Sequence, residues 1–524
     1  MSTAPASACL QVKEGSWFTS GPAIVWYIAA SVLLLHLVTA GRYGYMGDEL
    51  YLMDCGEHLA WGYVDQPPFI ALIAWLTRHL FGTSLFAVRL FPALAGFVLV
   101  WLTGLIAREL GGGRFAQGLA ALCTACAGVY LVVYHLFTMN AFEPLLWMGC
   151  AYVVIRIIKT GNQKLWLWFG MLAGIGLENK YSMAVFAFAV VVGLLLTQER
   201  TAFDARWIWI AGLIALVVIL PNLIWNIQHQ WPFLQFMRNL HASGRDLPFT
   251  PLGYLRAQTF LMTPTTLPVW LLGGLYFLFW PQGRAFRALG WAFVSVLAVF
   301  FALHGKDYYA SPAYPMVFAG GALAVERISA GRRWQWLKPS AVALILLGTL
   351  TLLPLFVPVL SPENFLRYQA RLPFKIQPIE KSLLEGPMPH YYTWCFGWEE
   401  MVQGVAQAYN TVPAQDRADT AIFTHNFAEA GAIDLIGPKY GLPKAICPHM
   451  SYWLWGPRNY TGQTVIVVGS SPESERRSFN EVAVIAELHN PYAEPRENMP
   501  VLLCRGPRNF RSPAEVWPRL KNWD

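Results

Sequence analysis

Ten stretches of this chain, one of them long enough to cross a membrane twice, are too apolar to fold against water alone. A helix that crosses a bilayer needs about 20 mostly apolar residues. Such runs occur at 21–40, 85–107, 115–134, 141–158, 207–227, 288–304, 308–325 and 339–360, with a shorter one at 267–280. The stretch 165–197 is apolar throughout but too long for one span. It is interrupted by Glu178-Asn179-Lys180, which predicts a helical hairpin with that triplet at its tip. Composition agrees with a lipid-facing surface. Only 13% of residues are charged, against roughly 25% in soluble domains, and the mean hydropathy is +0.39. The 23 tryptophans suit a protein with two water–lipid boundaries to anchor.

The loops predict an orientation. Short cytoplasmic loops hold an excess of Lys and Arg. With the N-terminus inside, the inner loops are 108–114, 156–164, 198–206, 281–287 and 326–338, and each is basic or contains several basic residues. The outer loops are 41–66, 134–140, the hairpin tip, 228–266 and 305–307. The first of these is acidic, with Asp48, Glu49, Asp54, Glu57 and Asp65. The alternation leaves 361–524 outside. Residues 1–20 form a cytoplasmic tail with no removable signal peptide, so the first span is an uncleaved anchor. Pro67–Leu80 is apolar but short and predicts a helix lying in the outer interface. Loop 228–266 is long and rich in aromatics, which argues for a functional loop. The net charge of +7 is spread over short loops instead of clustering as in a nucleic-acid binder, so no nucleic-acid partner is expected.

Past Ser361 the chain gains charge, Pro and Gly. The segment 419–437 reads as strand, turn and helix, and Thr464–Gly469 reads as a buried strand. A small α/β domain is expected over 361–524. Cys123 and Cys126 lie in an apolar run and read as core thiols. Cys395, Cys447 and Cys504 could pair outside the membrane, in no particular combination.

Four features carry candidate chemistry, and each also has an ordinary explanation. Asp48 and Glu49 are adjacent acids just beyond the first span: a solvated loop, or a base for an acceptor's proton. Glu143 precedes Pro144 at the start of a span, where it would cap a helix or join the same reaction cavity. Lys180, with its neighbour Tyr181, sits at the hairpin tip, facing either Glu178 or the phosphate of a lipid. His304, Lys306, Tyr308 and Tyr309 mark a late outer boundary, as interface anchors or as phosphate ligands. All four features are expected on one side of the membrane.

In their order and topology these residues resemble the dolichyl-phosphate-mannose protein mannosyltransferase superfamily, whose bacterial branch includes the lipid A aminoarabinose transferases. The resemblance covers roughly 20–330. It rests on the Asp48-Glu49 pair, the Pro67-Pro68 step, Glu143 after the third span, Lys180 in the hairpin turn, and the Lys306–Tyr309 block with its later prolines. Gln66 stands where many members have His, and Asn140 with Glu143 replaces the commoner Thr-Asp. The resemblance implies a GT-C glycosyltransferase that inverts the transferred sugar. Asp48, Glu49 and Glu143 would be catalytic. Lys180, Tyr181, His304, Lys306, Tyr308 and Tyr309 would bind substrate.

The expected protein is mainly α: a polytopic membrane bundle of about eleven spans (21–360) with a small extracytoplasmic α/β domain. Its expected partners are membrane lipid, a polyprenyl-phosphate-sugar donor, and a glycan, lipid or protein acceptor of the envelope, at the inner membrane. No cofactor is assigned, a divalent cation is allowed for, and the metal ligands stay unknown. The competing readings are a transporter or lipid flippase, and a scaffold that displays the soluble domain.

Overall fold

In the computed structural model of the chain, residues 19–243, 250–374, 386–508 and 510–524 are described. The expected N-terminal tail therefore lies outside the described residues apart from Thr19 and Ser20, as does part of loop 228–266.

Every predicted apolar run is helical. Helix α1 (Gly21–Thr39) starts at Ser20, whose hydroxyl accepts from the Ala23 amide at 3.3 Å. Part of the first outer loop is itself a helix, α2 (Gly47–Cys55), with Asp48 and Glu49 in its first turn, where carboxylates favour the exposed amides. Helix α3 (Phe69–Phe81) is the predicted interfacial element. It buries Ile70, Ala71 and Ala74 and exposes Leu72, Trp75 and Leu80. Helix α4 (Leu85–Glu109) follows, capped by Ser84. The hairpin is formed by Trp166–Asn179 and Met183–Leu195.

Among the described residues, six helices are long and apolar enough to cross a membrane, or eight if two bent helix pairs each count as a span. The difference from eleven lies in short or broken helices. The run 115–134 breaks at Ala127, while Trp166–Asn179 has 14 residues and Tyr314–Ile328 has 15. At 1.5 Å per residue those two reach about 21–23 Å, less than the roughly 30 Å of hydrocarbon. Helix Arg206–Gln228 turns Trp209, Leu213, Leu216, Leu220 and Ile224 outward, which makes it a lipid-facing wall.

The loops sort to two ends. At the basic end, Glu109 meets Lys159 (2.7 Å) and Arg156 (3.6 Å), and Glu326 accepts from the Gly113 and Ala116 amides. At the other end, the first outer loop, the hairpin tip and the C-terminal unit come together.

The C-terminal unit holds a four-stranded sheet, β1 (Ala421–Thr424), β2 (Thr464–Val468), β3 (Phe479–Ala486) and β4 (Val501–Pro507), in the order β1-β2-β4-β3. β1 and β2 are parallel, with Ile422 opposite Ile466, and β4 is antiparallel to both its neighbours. The predicted strand–turn–helix is β1 followed by helix Phe427–Ile436. That helix packs directly on α2. A Cβ on Gly431 would lie 2.7 Å from the Leu50 carbonyl carbon, so only glycine permits this approach. One buried apolar cluster runs unbroken from the membrane helices through α2 into this unit. Cys395, Cys447 and Cys504 are buried, separate thiols.

Candidate active site

Glu49 is fully buried, and its carboxylate has four donors. Arg89 of α4 grips both oxygens (Nε–Oε1 3.1 Å, Nη2–Oε2 2.9 Å), and the amides of Met46 and Phe137 each donate at 2.9 Å. Arg89 also donates to the carbonyls of Ala40, Arg42 and Gly44. The pair is a rivet joining the end of α1, the start of α2 and the second outer loop. Such an acid is committed on every lone pair.

Asp48, one residue earlier, is only half-buried. It lies close enough to Asp65 for the two charges to repel. Burial pushes the Asp65 carboxyl up to about 6, opposed by the Tyr51 hydroxyl, which donates to Oδ1 at 2.8 Å.

The hairpin tip forms a second cluster. Lys180 Nζ donates to Glu143 Oε2 at 3.0 Å and to Asn140 Oδ1 at 2.8 Å. The Ser182 hydroxyl donates to the other Glu143 oxygen. Tyr309 and Tyr308 cover the ammonium, with ring centroids 4.4 and 5.4 Å away, within cation–π range. Glu143 is 4% exposed, so Lys180 and Ser182 are what make its charge tolerable. Lys180 thus pairs with Glu143 and not with Glu178, whose carboxylate is buried with neither oxygen hydrogen-bonded among the described residues.

Tyr181 joins the two clusters. Its hydroxyl donates to Asn222 Oδ1 (2.9 Å) and accepts from Asn226 Nδ2 (3.2 Å), and the charge of Asp65 bears on it. Asn222 in turn donates to the Trp61 carbonyl of the first outer loop. His304 and Lys306 lie on the loop that delivers Tyr308 and Tyr309. His304 has φ +50°, and Lys306 precedes the short helix Asp307–Ala313.

The structure therefore brings Asp48, Glu143, Lys180, Tyr181, Tyr308 and Tyr309 to one end of the molecule and gives Glu49 to Arg89. Sequence reasoning passed over Arg89, whose signal was a lone charge inside an apolar run. It also passed over Asp65 with Tyr51, and over Ser182. Among the described residues no three His, Cys, Asp or Glu side chains group as a metal site requires.

Comparison with known proteins adds three findings. Residues 65–225 match the family model described as dolichyl-phosphate-mannose-protein mannosyltransferase. A lipopolysaccharide core galacturonosyltransferase, RgtA of Rhizobium johnstonii, is 27% identical over 185 residues, which is 34% of this chain and 36% of that protein. The chain thus spans about a third of the length of the curated relative it matches. Crystal structures of ArnT from Cupriavidus metallidurans superpose over 92% of this chain. The apo form has TM-score 0.59 over 98% of that chain, and the undecaprenyl-phosphate-bound form 0.60 over 99%, both at 13% identity. The fold is thus that of the ArnT structures over 92% of the chain, and the mannosyltransferase family model matches residues 65–225.

Proposed function

We propose that this protein is a membrane glycosyltransferase that moves a sugar from a polyprenyl-phosphate carrier to an acceptor of the cell envelope. The observation that carries the reading is the convergence at one end of the molecule. A half-buried acid, Asp48, and a tyrosine-covered ammonium, Lys180, reach the same region through Asp65 and Tyr181. The relatives support the substrate classes: one is named for transfer to lipopolysaccharide core, and one shares its fold while binding undecaprenyl phosphate.

The chemistry follows from charge. An acceptor hydroxyl attacks the anomeric carbon of the donor sugar. The bond from that carbon to the phosphate oxygen breaks, and the lipid phosphate leaves with the electron pair. Lys180 stabilises the charge that grows on the phosphate, while Asp48 takes the acceptor's proton. Attack from the face opposite the leaving group inverts the anomeric centre. Glu143 holds the Lys180 ammonium in place between turnovers, and Tyr308 and Tyr309 exclude water above it. Lys306 and His304, on the loop that delivers these tyrosines, are the further candidates for contact with the donor. Glu49 fixes the helix that carries Asp48 and exchanges no proton itself. The reaction end faces away from the cytoplasm, at the inner membrane.

The test is transfer of radiolabelled sugar from the polyprenyl-phosphate pool of native membranes into envelope material. Asp48→Asn is expected to lower the rate about 10²–10⁴-fold, the usual range for a lost general base. A folded, well-expressed Asp48→Asn protein with full activity overturns the reading.

A further inference from the structure

Asp65, in the first outer loop, is held by a hydrogen-bonded path that leads into the C-terminal unit. Its Oδ1 accepts from the Tyr51 hydroxyl at 2.8 Å. The same hydroxyl lies 2.7 Å from the Oγ of Ser451, and Ser451 Oγ accepts from the Val64 amide at 3.1 Å. A tyrosine hydroxyl has one proton. With that proton given to Asp65, the Ser451 hydroxyl donates to Tyr51. The chain of donation runs from Val64 N–H through Ser451 and Tyr51 to Asp65. Ser451 is 0% exposed and Tyr51 1%.

Ser451 comes from the C-terminal unit, 400 residues after Tyr51. It opens helix Ser451–Trp455, directly after Met450, whose φ of +50° sets the turn. Around the relay the two halves of the chain interlock. The Tyr51 ring lies 4.9 Å from Phe427 and 6.1 Å from Tyr452, His58 stacks on Trp455 at 4.1 Å, and the Gly47 amide donates to the Trp394 carbonyl. Asp54 on α2 meets Lys444 at 3.0 Å. The C-terminal unit therefore forms one wall of the region that holds Asp48.

We propose that Asp65 is a second acid of the reaction site, sharing with Asp48 the acceptor's proton, and that Ser451 of the C-terminal unit is a positioning residue that acts on it through Tyr51. This rests on the glycosyltransferase reading and deepens it. Asp48 and Tyr51 are three residues apart on one face of α2, and Tyr51 holds Asp65, so the helix brings the two carboxylates toward each other, where their repulsion favours a shared proton. The pair can then take a proton from an acceptor hydroxyl at near-neutral pH and release it to water afterwards. The groups whose charge or hydrogen bonds bear on Asp65 are Tyr51, Asp48, Cys55 and Tyr181. Of these the Tyr51 hydroxyl favours the ionised form of Asp65, and burial opposes it.

The sign of the effect is fixed by that hydrogen bond. Without the Tyr51 donor the Asp65 carboxyl holds its proton to higher pH, so the acid limb of the rate profile moves toward neutral. Tyr51→Phe keeps the ring and removes only the hydroxyl. The expected result is an acid limb shifted upward by half a pH unit or more, with kcat on that limb reduced about threefold or more and KM for the lipid donor within twofold of the parent. Ser451→Ala should move the limb in the same direction by less, and Tyr51→Phe/Ser451→Ala should be no worse than Tyr51→Phe alone. Undecaprenyl phosphate binding and thermal melting of the detergent-purified proteins report whether each variant is folded.

A folded Tyr51→Phe protein with the parental pH profile overturns the proposal, as does a Ser451→Ala effect fully additive with Tyr51→Phe. If Asp48→Asn is also fully active, the glycosyltransferase reading has failed. If Asp48→Asn is dead and Tyr51→Phe is unchanged, only the role of Asp65 and Ser451 has failed.

Discussion

Arg89 shows how much one buried side chain can hold. Its guanidinium is 2% exposed and binds both oxygens of Glu49 and three backbone carbonyls. A planar five-donor fork suits that set, and an ammonium does not. Removing one partner of a buried ion pair strands the other, at about 3–5 kcal/mol. Arg89→Ala is therefore expected to lower the melting temperature sharply or abolish accumulation in membranes, and Arg89→Lys to recover only part of the loss. Thermal melts of purified protein followed by tryptophan fluorescence would measure both. Glu143 predicts an opposite pattern. Its carboxylate occupies the Lys180 ammonium that a lipid phosphate would also use. Glu143→Gln should tighten undecaprenyl phosphate binding, by about 1–2 kcal/mol or some five- to thirtyfold, while slowing sugar transfer. Weaker binding in that variant would mean that the lysine does not meet the phosphate.

At the scale of elements, the apolar runs were legible because each helix announces itself locally. The pairings were not, because they join distant positions. Glu49 meets Arg89 across 40 residues and Glu143 meets Lys180 across 37. The sequence displays only isolated charges at these places. The acidic first loop is legible as a solvated or a catalytic loop but not as a helix; it folds into α2 because Glu49 closes back on the Met46 amide and Gly431 lets a second helix lie against it. β3 and β4 escaped notice for a related reason: β3 is largely exposed along its length and exists through its register with β4. Helix Phe427–Ile436 carries its own prediction. Glu429 accepts from the amides of His425 and Asn426 at its start. Burial pushes Glu429 up to about 8 and nearby Glu497 up to about 7. Unfolded glutamates titrate near 4.3. Between those values the folded chain keeps protons that the unfolded chain has released, so stability falls as pH rises from about 5 to about 8. The melting temperature should be lower at pH 8 than at pH 6, and Glu429→Gln should flatten that slope. An unchanged slope would show that these acids are ionised in the fold.

For the whole molecule, the two ends differ in kind. One end is stitched by Lys159, Arg156 and Arg114 to Glu109 and the Thr19 carbonyl, with Glu326 closing on the Gly113 and Ala116 amides. The other end holds the acids of α2, the Lys180 cluster and the C-terminal unit. Positive charge stays on the cytoplasmic side during insertion, so we propose that the stitched end lies inside and the reaction end outside. Ser361 sits at the join, where it caps helix Pro362–Gln369 after the last long apolar helix, Leu337–Phe356. Arg42 and Tyr43, just past α1, hydrogen-bond the carbonyls of Val359 and Leu360, which fixes the exit of that helix at the same level as the first outer loop. A single reporter cysteine at Ser361, in a chain whose other cysteines are buried or replaced, should react with a membrane-impermeant maleimide in intact cells. A second reporter at exposed Lys164 should react only after permeabilisation. The two positions test each other. If Ser361 labels only after permeabilisation, the site built around Asp48 opens to the cytoplasm; if Lys164 also labels from outside, an even number of crossings separates the two positions and the odd number expected here is wrong.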